Sequence, residues 1–321
     1  MDERLLIDQL EQAVEMMIAH PDAARPEVDP QVSELLAVAD DLRDLARPEF
    51  KKQLRLELER EAIMSTTKVN PIPAGYHTIT PYVTVPAAAE LIEWLKSNIG
   101  FTEHFRTIGS AGGIHCELKV GDSMLMVGGG PMIQKSLPTA FHFITDQVDE
   151  MYRRAMDGGA TSIREPQDQP YGERVCGVKD PSGNEWYFGK EIGGSGMHRG
   201  LRTLNVYLHP SGTPGFIDFL RAAFNAEEVQ LFASPEGVVH HAKIRVGDSI
   251  LEMGEAHEEF QPMPTSFYLY VPDCDALYHQ ALRAGAKSIA EPADHPYGDR
   301  SGAVEDAFGN SWWIATHIKD V

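Results

Sequence analysis

Little in this chain points toward a polyanion, a disulfide framework or a lipid bilayer. Basic residues are scarce: 28 Lys and Arg stand against 48 Asp and Glu, a formal charge of −20. So acidic a chain repels phosphate backbones and anionic membrane surfaces, and no basic cluster offsets the excess. Nucleic-acid and membrane partners are therefore not expected. Cysteine is scarcer still. Cys116, Cys176 and Cys274 are odd in number and scattered, so they form neither a disulfide framework nor a metal knuckle, and a reducing compartment is expected. No apolar run approaches the roughly 18 residues of a membrane span. The opening Met-Asp-Glu-Arg has neither the basic start nor the apolar core of an export signal. A cytoplasmic location is the expectation.

What the chain does have is a long internal repeat. The stretch from Leu137 to Ile192, moved forward by 126 positions, lies on Met263 to Ile318 without a gap. Gly-Ala-x-Ser-Ile at 159–163 meets the same pattern at 285–289. Glu-Pro-x-Asp-x-Pro-Tyr-Gly-x-Arg at 165–174 meets 291–300, and His115 to Ser123 faces His241 to Ser249. A repeat unit this long is a whole domain, so a domain was duplicated and both copies were kept. The hydrophobic content of 42% over 321 residues suffices for two such domains and an appendage.

The appendage is residues 1–65. Leu5, Leu6, Leu10, Val14, Met17 and Ile18 recur at helical spacing. Asp29-Pro30 then offers a cap and a first-turn proline for a second helix, and a third follows Pro48. Short amphipathic helices are marginal alone, so these are expected to dock on the body or on a partner. Residues 66–75, with Pro71 and Pro73, read as a linker, followed by domains at 76–192 and 200–321.

Within each copy the patterning is strand, helix, then three strands, and this order occurs twice. In the first copy the spacing predicts a strand at 79–85, a helix at 87–99 and strands near 102–107, 113–120 and 123–128. The theme returns with a strand at 140–145, a helix at 147–157 and strands near 161–165, 174–179 and 185–189. Gly-Asp-Ser (121–123) and Asp-Pro-Ser-Gly-Asn (180–184) suit hairpin turns, since Gly and Asn tolerate positive φ.

The paired βαβββ layout, His-x-Glu-Leu-x-Val-Gly-Asp-Ser, Pro-Tyr-Gly-Asp-Arg and the closing Gly-Asn-Ser-Trp-Trp-Ile-Ala-Thr (309–316) resemble the vicinal oxygen chelate superfamily. This is the glyoxalase/bleomycin-resistance/dioxygenase group, and the likeness is greatest to its PhnB-like branch. The resemblance covers about 76–192 and 200–321. It implies an α+β fold of tandem domains, each of two βαβββ modules curled into a cupped, mostly antiparallel sheet with a small-molecule cavity. Single-domain relatives pair as dimers, so the duplication implies a monomeric pseudo-dimer.

In metal-dependent members of that superfamily, four positions facing the cup hold one divalent ion with His and Glu side chains. Aligned by helix and turn landmarks, these positions fall on Thr80, Met126, Thr139 and Tyr187 in the first copy. In the second they fall on Leu204 or Asn205, Glu252, Thr265 and Trp313. Only Glu252 is a good ligand, so no metal and no cofactor are expected. Tyr187 and Trp313 put aromatic rings at the cup, where they either receive a planar or cationic ligand or fill the space. Trp186 and Trp312 alternate to the opposite face and read as core. His115 and His241 are the histidines in repeat register, as ligand donors, acid–base groups or satisfied structural residues. Arg174 and Arg300 either clamp a ligand's carboxylate or phosphate, or fix a loop by pairing with the repeated Asp168/Asp294 or Asp180/Asp306.

Two functions therefore compete on sequence. One is a metal-free protein that binds a small aromatic or cationic ligand. The other is a lyase, isomerase or dioxygenase using unusual metal ligands or acid–base chemistry from Glu252, His115 or His241. A third option makes the domains a ligand sensor acting through the N-terminal helices.

Overall fold

The computed structural model describes residues 12–16, 28–29, 32–33, 69–109, 112–130, 136–194 and 196–320. The chain divides into two compact units, Met1–Lys68 and Val69–Val321. In the first, residues 12–16 are helical, within the first expected helix, and Ala13 and Val32 are buried beside Val14 and Val28. Residues 32–33, within the second expected helix, are helical too, and the rest of the expected helical segment lies outside the described residues.

The second unit carries four βαβββ modules. The first is β1 (Ile79–Thr84), α1 (Ala88–Trp94) running into a π-helical turn at Leu95–Ile99, β2 (Thr102–Ile108), β3 (Ile114–Val120) and β4 (Ser123–Gly129). The second is β5 (Ala140–Ile144), α2 (Val148–Asp157), β6 (Thr161–Gln169), β7 (Glu173–Lys179) and β8 (Glu185–Glu191). The third is β9 (Leu204–Leu208), α3 (Thr213–Phe224), β10 (Glu227–Ala233), β11 (Val239–Val246) and β12 (Ser249–Met253). The fourth is β13 (Ser266–Tyr270), α4 (Cys274–Arg283), β14 (Lys287–Asp294), β15 (Asp299–Glu305) and β16 (Ser311–His317).

Local chemistry explains several boundaries. α4 starts where the Asp273 side chain accepts from the Ala276 amide at 3.0 Å. α3 has a proline in its first turn and stops at Asn225, which adopts a left-handed φ of 53°. No helix among the described residues is long and apolar enough to cross a membrane.

The modules form two eight-stranded sheets, in the orders β14-β15-β16-β13-β1-β4-β3-β2 and β10-β11-β12-β9-β5-β8-β7-β6. Each cup is two βαβββ modules, as expected, and the two come from different copies. The joins are antiparallel, β1 to β13 and β5 to β9. A lone module would leave its first strand as an open edge, and pairing with the matching strand of the other copy satisfies that backbone.

The Gly-Asp-Ser turns fasten the copies reciprocally. Asp122 accepts from the Thr203 amide at 2.9 Å and the Ser123 hydroxyl from the Leu204 amide at 3.0 Å. Asp248 accepts from the Thr78 amide at 2.8 Å and the Ser249 hydroxyl from the Ile79 amide at 3.0 Å. Gly121 and Gly247 have φ of 54° and 58°, and a Cβ on either would overlap the threonine it touches. The motif is thus a clasp between copies as well as a turn.

Strand alternation separates core from cup. Phe141 and Phe143, Trp186 and Phe188, and Leu204, Val206 and Leu208 enter the large core. Trp186 stacks on Phe141 at 4.5 Å and Trp312 on Phe267 at 4.3 Å, as the period-two reading expected of both tryptophans. The Asp-Pro-Ser-Gly-Asn turn serves this core. Buried Asp180 accepts from the Trp186 indole at 2.9 Å and from the Ser182 and Asn184 amides, and Asp306 repeats the arrangement with Trp312.

Candidate functional site

The residues left over by that alternation line the cups. In the second sheet they are His142 on β5, Tyr187 and Gly189 on β8, Asn205 and Tyr207 on β9, His241 and Lys243 on β11, and Glu252 on β12. Register holds them together: His142 pairs with Tyr187 on one side and Asn205 on the other, and Glu252 pairs with Tyr207 and Lys243. Glu173, at the start of β7, completes the row.

These side chains form a buried chain of alternating imidazoles and carboxylates. Glu252 contacts His142 Nδ1 at 2.7 Å and Glu173 contacts His142 Nε2 at 2.9 Å. Glu173 Oε1 also receives His198 Nε2 at 2.8 Å, and His241 Nε2 lies 3.9 Å from Glu252. His142, Glu173 and Glu252 are 6%, 4% and 2% exposed. Burial opposes charge on His142, but the Glu252 charge and the bonds to both carboxylates outweigh it and push the imidazole up to about 10. Burial likewise opposes charge on Glu173, yet His142 and His198 pull it down to about 2. Glu252 is lowered for the same reason, against burial. Burial pushes His241 down, and the Glu252 charge only partly offsets it.

This donor set fits a divalent transition ion. His142, Glu173 and His198 offer ligand atoms all within 4.8 Å of one another, a nitrogen and oxygen set suited to Zn, Mn, Fe or Ni. Glu252 holds the other ring nitrogen of His142, the usual second contact of a ligating histidine. The floor is shaped for this crowding: a Cβ on Gly189 would overlap both Glu173 Oε1 and His142 Nε2. His198 does not belong to the sheet. It comes from the segment joining the copies, where the Met197 carbonyl also accepts from Lys243 Nζ.

The other cup answers the same positions with phenols. Tyr268 stands where His142 does, Asp299 for Glu173, Met126 for Glu252, Ala315 for Gly189 and Trp313 for Tyr187. Tyr268 and Tyr270 both donate to Asp299, at 2.9 and 3.1 Å, and His317 Nδ1 contacts it at 2.8 Å. Tyr76, from the segment before β1, donates to Glu117. Met126, Tyr268, Tyr270 and Ala315 form a separate apolar cluster with Ile72, Tyr76, Tyr82 and Trp313 packed on it. The preceding segment therefore fills this cup.

Several expectations change. Thr139 and Thr265 do not face the cups; they precede β5 and β13, are fully buried, and their hydroxyls bond each other across the copies. The cup positions lie three residues on, at His142 and Tyr268. Asn205 rather than Leu204 faces the cup, and its side chain bonds the backbone of Arg202 and His142. Thr80 and Met126 stand as expected. The expectation of no metal rested on the earlier register, and three donors it did not count now converge, so it is not supported.

Of the proposed ligand-binding residues, Glu252 and His241 come together in the histidine cup, and Tyr187 reaches its wall with its hydroxyl on Glu185 at 2.9 Å. Trp313 lines the tyrosine cup. His115 lies there too, 3.4 Å from Glu117 and 3.0 Å from the Tyr82 hydroxyl. Tyr207 and His241 repeat that last contact at 3.2 Å. Arg174 and Arg300 do not reach either cup. Each grips an aspartate in the first turn of a helix, Asp149 or Asp275, and also Asp168 or Asp294. They are loop-fixing ion pairs.

Comparison with known proteins places this geometry. A family model described as Glyoxalase/Bleomycin resistance protein/Dioxygenase superfamily matches residues 75–188 and 213–314. An uncharacterised protein of Mycobacterium bovis is 30% identical over 129 residues, 37% of this chain and 85% of that protein. One of Mycobacterium tuberculosis is 28% identical over 152 residues, 41% of this chain and 89% of that protein. Among solved structures, glyoxalase I from Zea mays aligns with a TM-score of 0.56 at 13% identity, covering 74% of this chain and 92% of that one, a likeness of fold. With both stretches matched across more than half its length, and four βαβββ modules in two cups, the chain belongs to the glyoxalase/bleomycin resistance protein/dioxygenase superfamily.

Proposed function

We propose that the histidine cup is a divalent-metal site that binds a small oxygen-bearing ligand and acts on it as an enzyme of this superfamily, while the tyrosine cup has become structural. The observation that carries this reading is the convergence of His142, Glu173 and His198 over a glycine floor, with Glu252 behind His142. A bound ion would act there as a Lewis acid toward ligand oxygens. His142 would have to release its proton to take part, and the carboxylate chain is where that proton is held. Tyr207 stays protonated, because burial and then the Glu252 charge raise it, so its hydroxyl is a donor to the cup. His241, with its lowered pKa, is neutral near pH 7 and is the candidate acid–base group.

Metal-free capture of an aromatic or cationic ligand is the second reading. It is supported at the histidine cup, where half-buried Tyr187 lines the wall and the carboxylate of Glu252 is held charged by His142 against burial. Thermal melts of protein stripped of metal, with and without Zn, Mn, Ni or Co, test the first reading. A saturable rise in melting temperature that disappears in His142→Ala supports it. No rise with any of these ions would return the protein to metal-free binding.

A further inference from the structure

His209 is a buried polar side chain that the arrangement above does not use. It follows β9 and, by alternation from Tyr207, faces the histidine cup. It is 9% exposed, and neither Nδ1 nor Nε2 has a hydrogen-bond partner among the described protein atoms. Burial pushes its imidazole down to about 4, so near neutral pH it is uncharged and offers one donor and one acceptor. Buried polar groups are nearly always bonded, and one left open points to a partner not yet in place.

Its surroundings say what that partner is. The ring of Phe260, from the loop after β12, stacks on His209 at 4.7 Å and an interplanar angle of 17°. The same ring lies 6.3 Å from Tyr187 and 4.9 Å from His257. Tyr207 approaches His209 at 4.9 Å. Beside this stack, Pro262, Met263 and Pro264 border a crevice of about 230 Å³ that has His209 in its wall. In the tyrosine cup the position of His209 is held by Thr84, which has no ring.

We infer that His209, Tyr187 and His257 form an aromatic subsite of the histidine cup, closed in this conformation by Phe260 as an internal plug. Its ligand is an uncharged planar aromatic molecule bearing a hydroxyl. The ligand ring enters the space of the Phe260 ring turned edge-on to His209 rather than stacked on it, so that its hydroxyl meets the open His209 nitrogen in the imidazole plane. This rests on the histidine cup being the ligand-binding cup; it does not require the metal.

The test uses the full chain stripped of metal, with p-cresol as probe, followed by calorimetry and by the ¹⁵N shifts of His209. Phe260→Ala removes the plug and is expected to bind p-cresol about tenfold more tightly than wild type, with the His209 nitrogen signals moving on binding. His209→Phe placed on Phe260→Ala keeps a flat ring but removes the hydrogen bond, and is expected to lose most of that gain. Should Phe260→Ala still bind metal as wild type does but show no gain for p-cresol and no His209 shift, the subsite is refuted while the metal reading stands. Loss of metal binding in wild type with the p-cresol gain intact would have the opposite meaning.

Discussion

The two cups are one scaffold carrying two chemistries. At matched positions, imidazole and carboxylate at His142 and Glu252 become phenol and thioether at Tyr268 and Met126. The carboxylate persists, as Glu173 in one cup and Asp299 in the other, but its partners differ. Glu173 is shared by two imidazoles, whereas Asp299 takes two phenols and His317. The linking segments differ too: one delivers His198 to a carboxylate, the other packs Ile72 and Tyr76 into the cup. Each copy supplies one module to each cup, so a change within a module alters the one cup to which that module belongs. Duplication thus allows one site to be filled while the other keeps its donors.

The comparison is broken most severely by removing its central residue on each side. His142→Ala should lower metal affinity by at least about a hundredfold, beyond the loss expected from second contacts alone. Tyr268→Ala should leave metal binding unchanged and instead destabilise the fold by about 3–5 kcal/mol, the cost of an emptied aromatic position. Titration with Zn and denaturant unfolding of both variants separate the two roles.

A milder exchange tests the floor. Gly189→Ala brings the histidine cup to the residue that the tyrosine cup already has in Ala315. The added Cβ overlaps Glu173 and His142, so metal should bind roughly ten- to a hundredfold more weakly. Ala315→Gly should leave metal affinity as it was.

Acid and alkali sharpen the contrast further. His142 sits near 10 against an ordinary 6.5, so its contribution is complete below about pH 6.5 and is lost as pH rises toward 10. The loss is at most about 1.4 kcal/mol per pH unit. Glu173, held near 2 against an ordinary 4.5, contributes above about pH 4.5 and its share is lost as pH falls toward 2. Denaturant stability of the metal-stripped protein should therefore decline between pH 7 and 10, and His142→Asn should flatten that decline. The smallest effect is expected outside both cups: Arg174→Ala breaks exposed ion pairs and should change neither metal affinity nor melting temperature measurably.

Much of this was legible in the sequence. The strand and helix patterning of both copies, the turns, the core tryptophans and Glu252 all follow from period and repeat. His142 escaped because the landmark position, Thr139, lies three residues away, and an odd shift in a strand selects the opposite face. The available signal was Phe141-His142-Phe143, a lone polar residue in an apolar strand, matched by Phe267-Tyr268-Leu269. Glu173 stood inside Pro-Tyr-Gly-x-Arg as its variable place, yet both copies carry an acid there. His198 lies outside the repeat, and no periodicity marks it. The exchange of modules between copies is equally invisible, since a repeat records which strands exist and not which edges meet.

Counting metal ions per chain tests the central claim most directly. Protein saturated with Zn, Mn or Ni, freed of excess and analysed by plasma mass spectrometry, should hold one ion per chain, and none in His142→Ala. Two ions per chain, or one ion retained in His142→Ala, would contradict the division of the molecule into a histidine cup that binds and a tyrosine cup that does not.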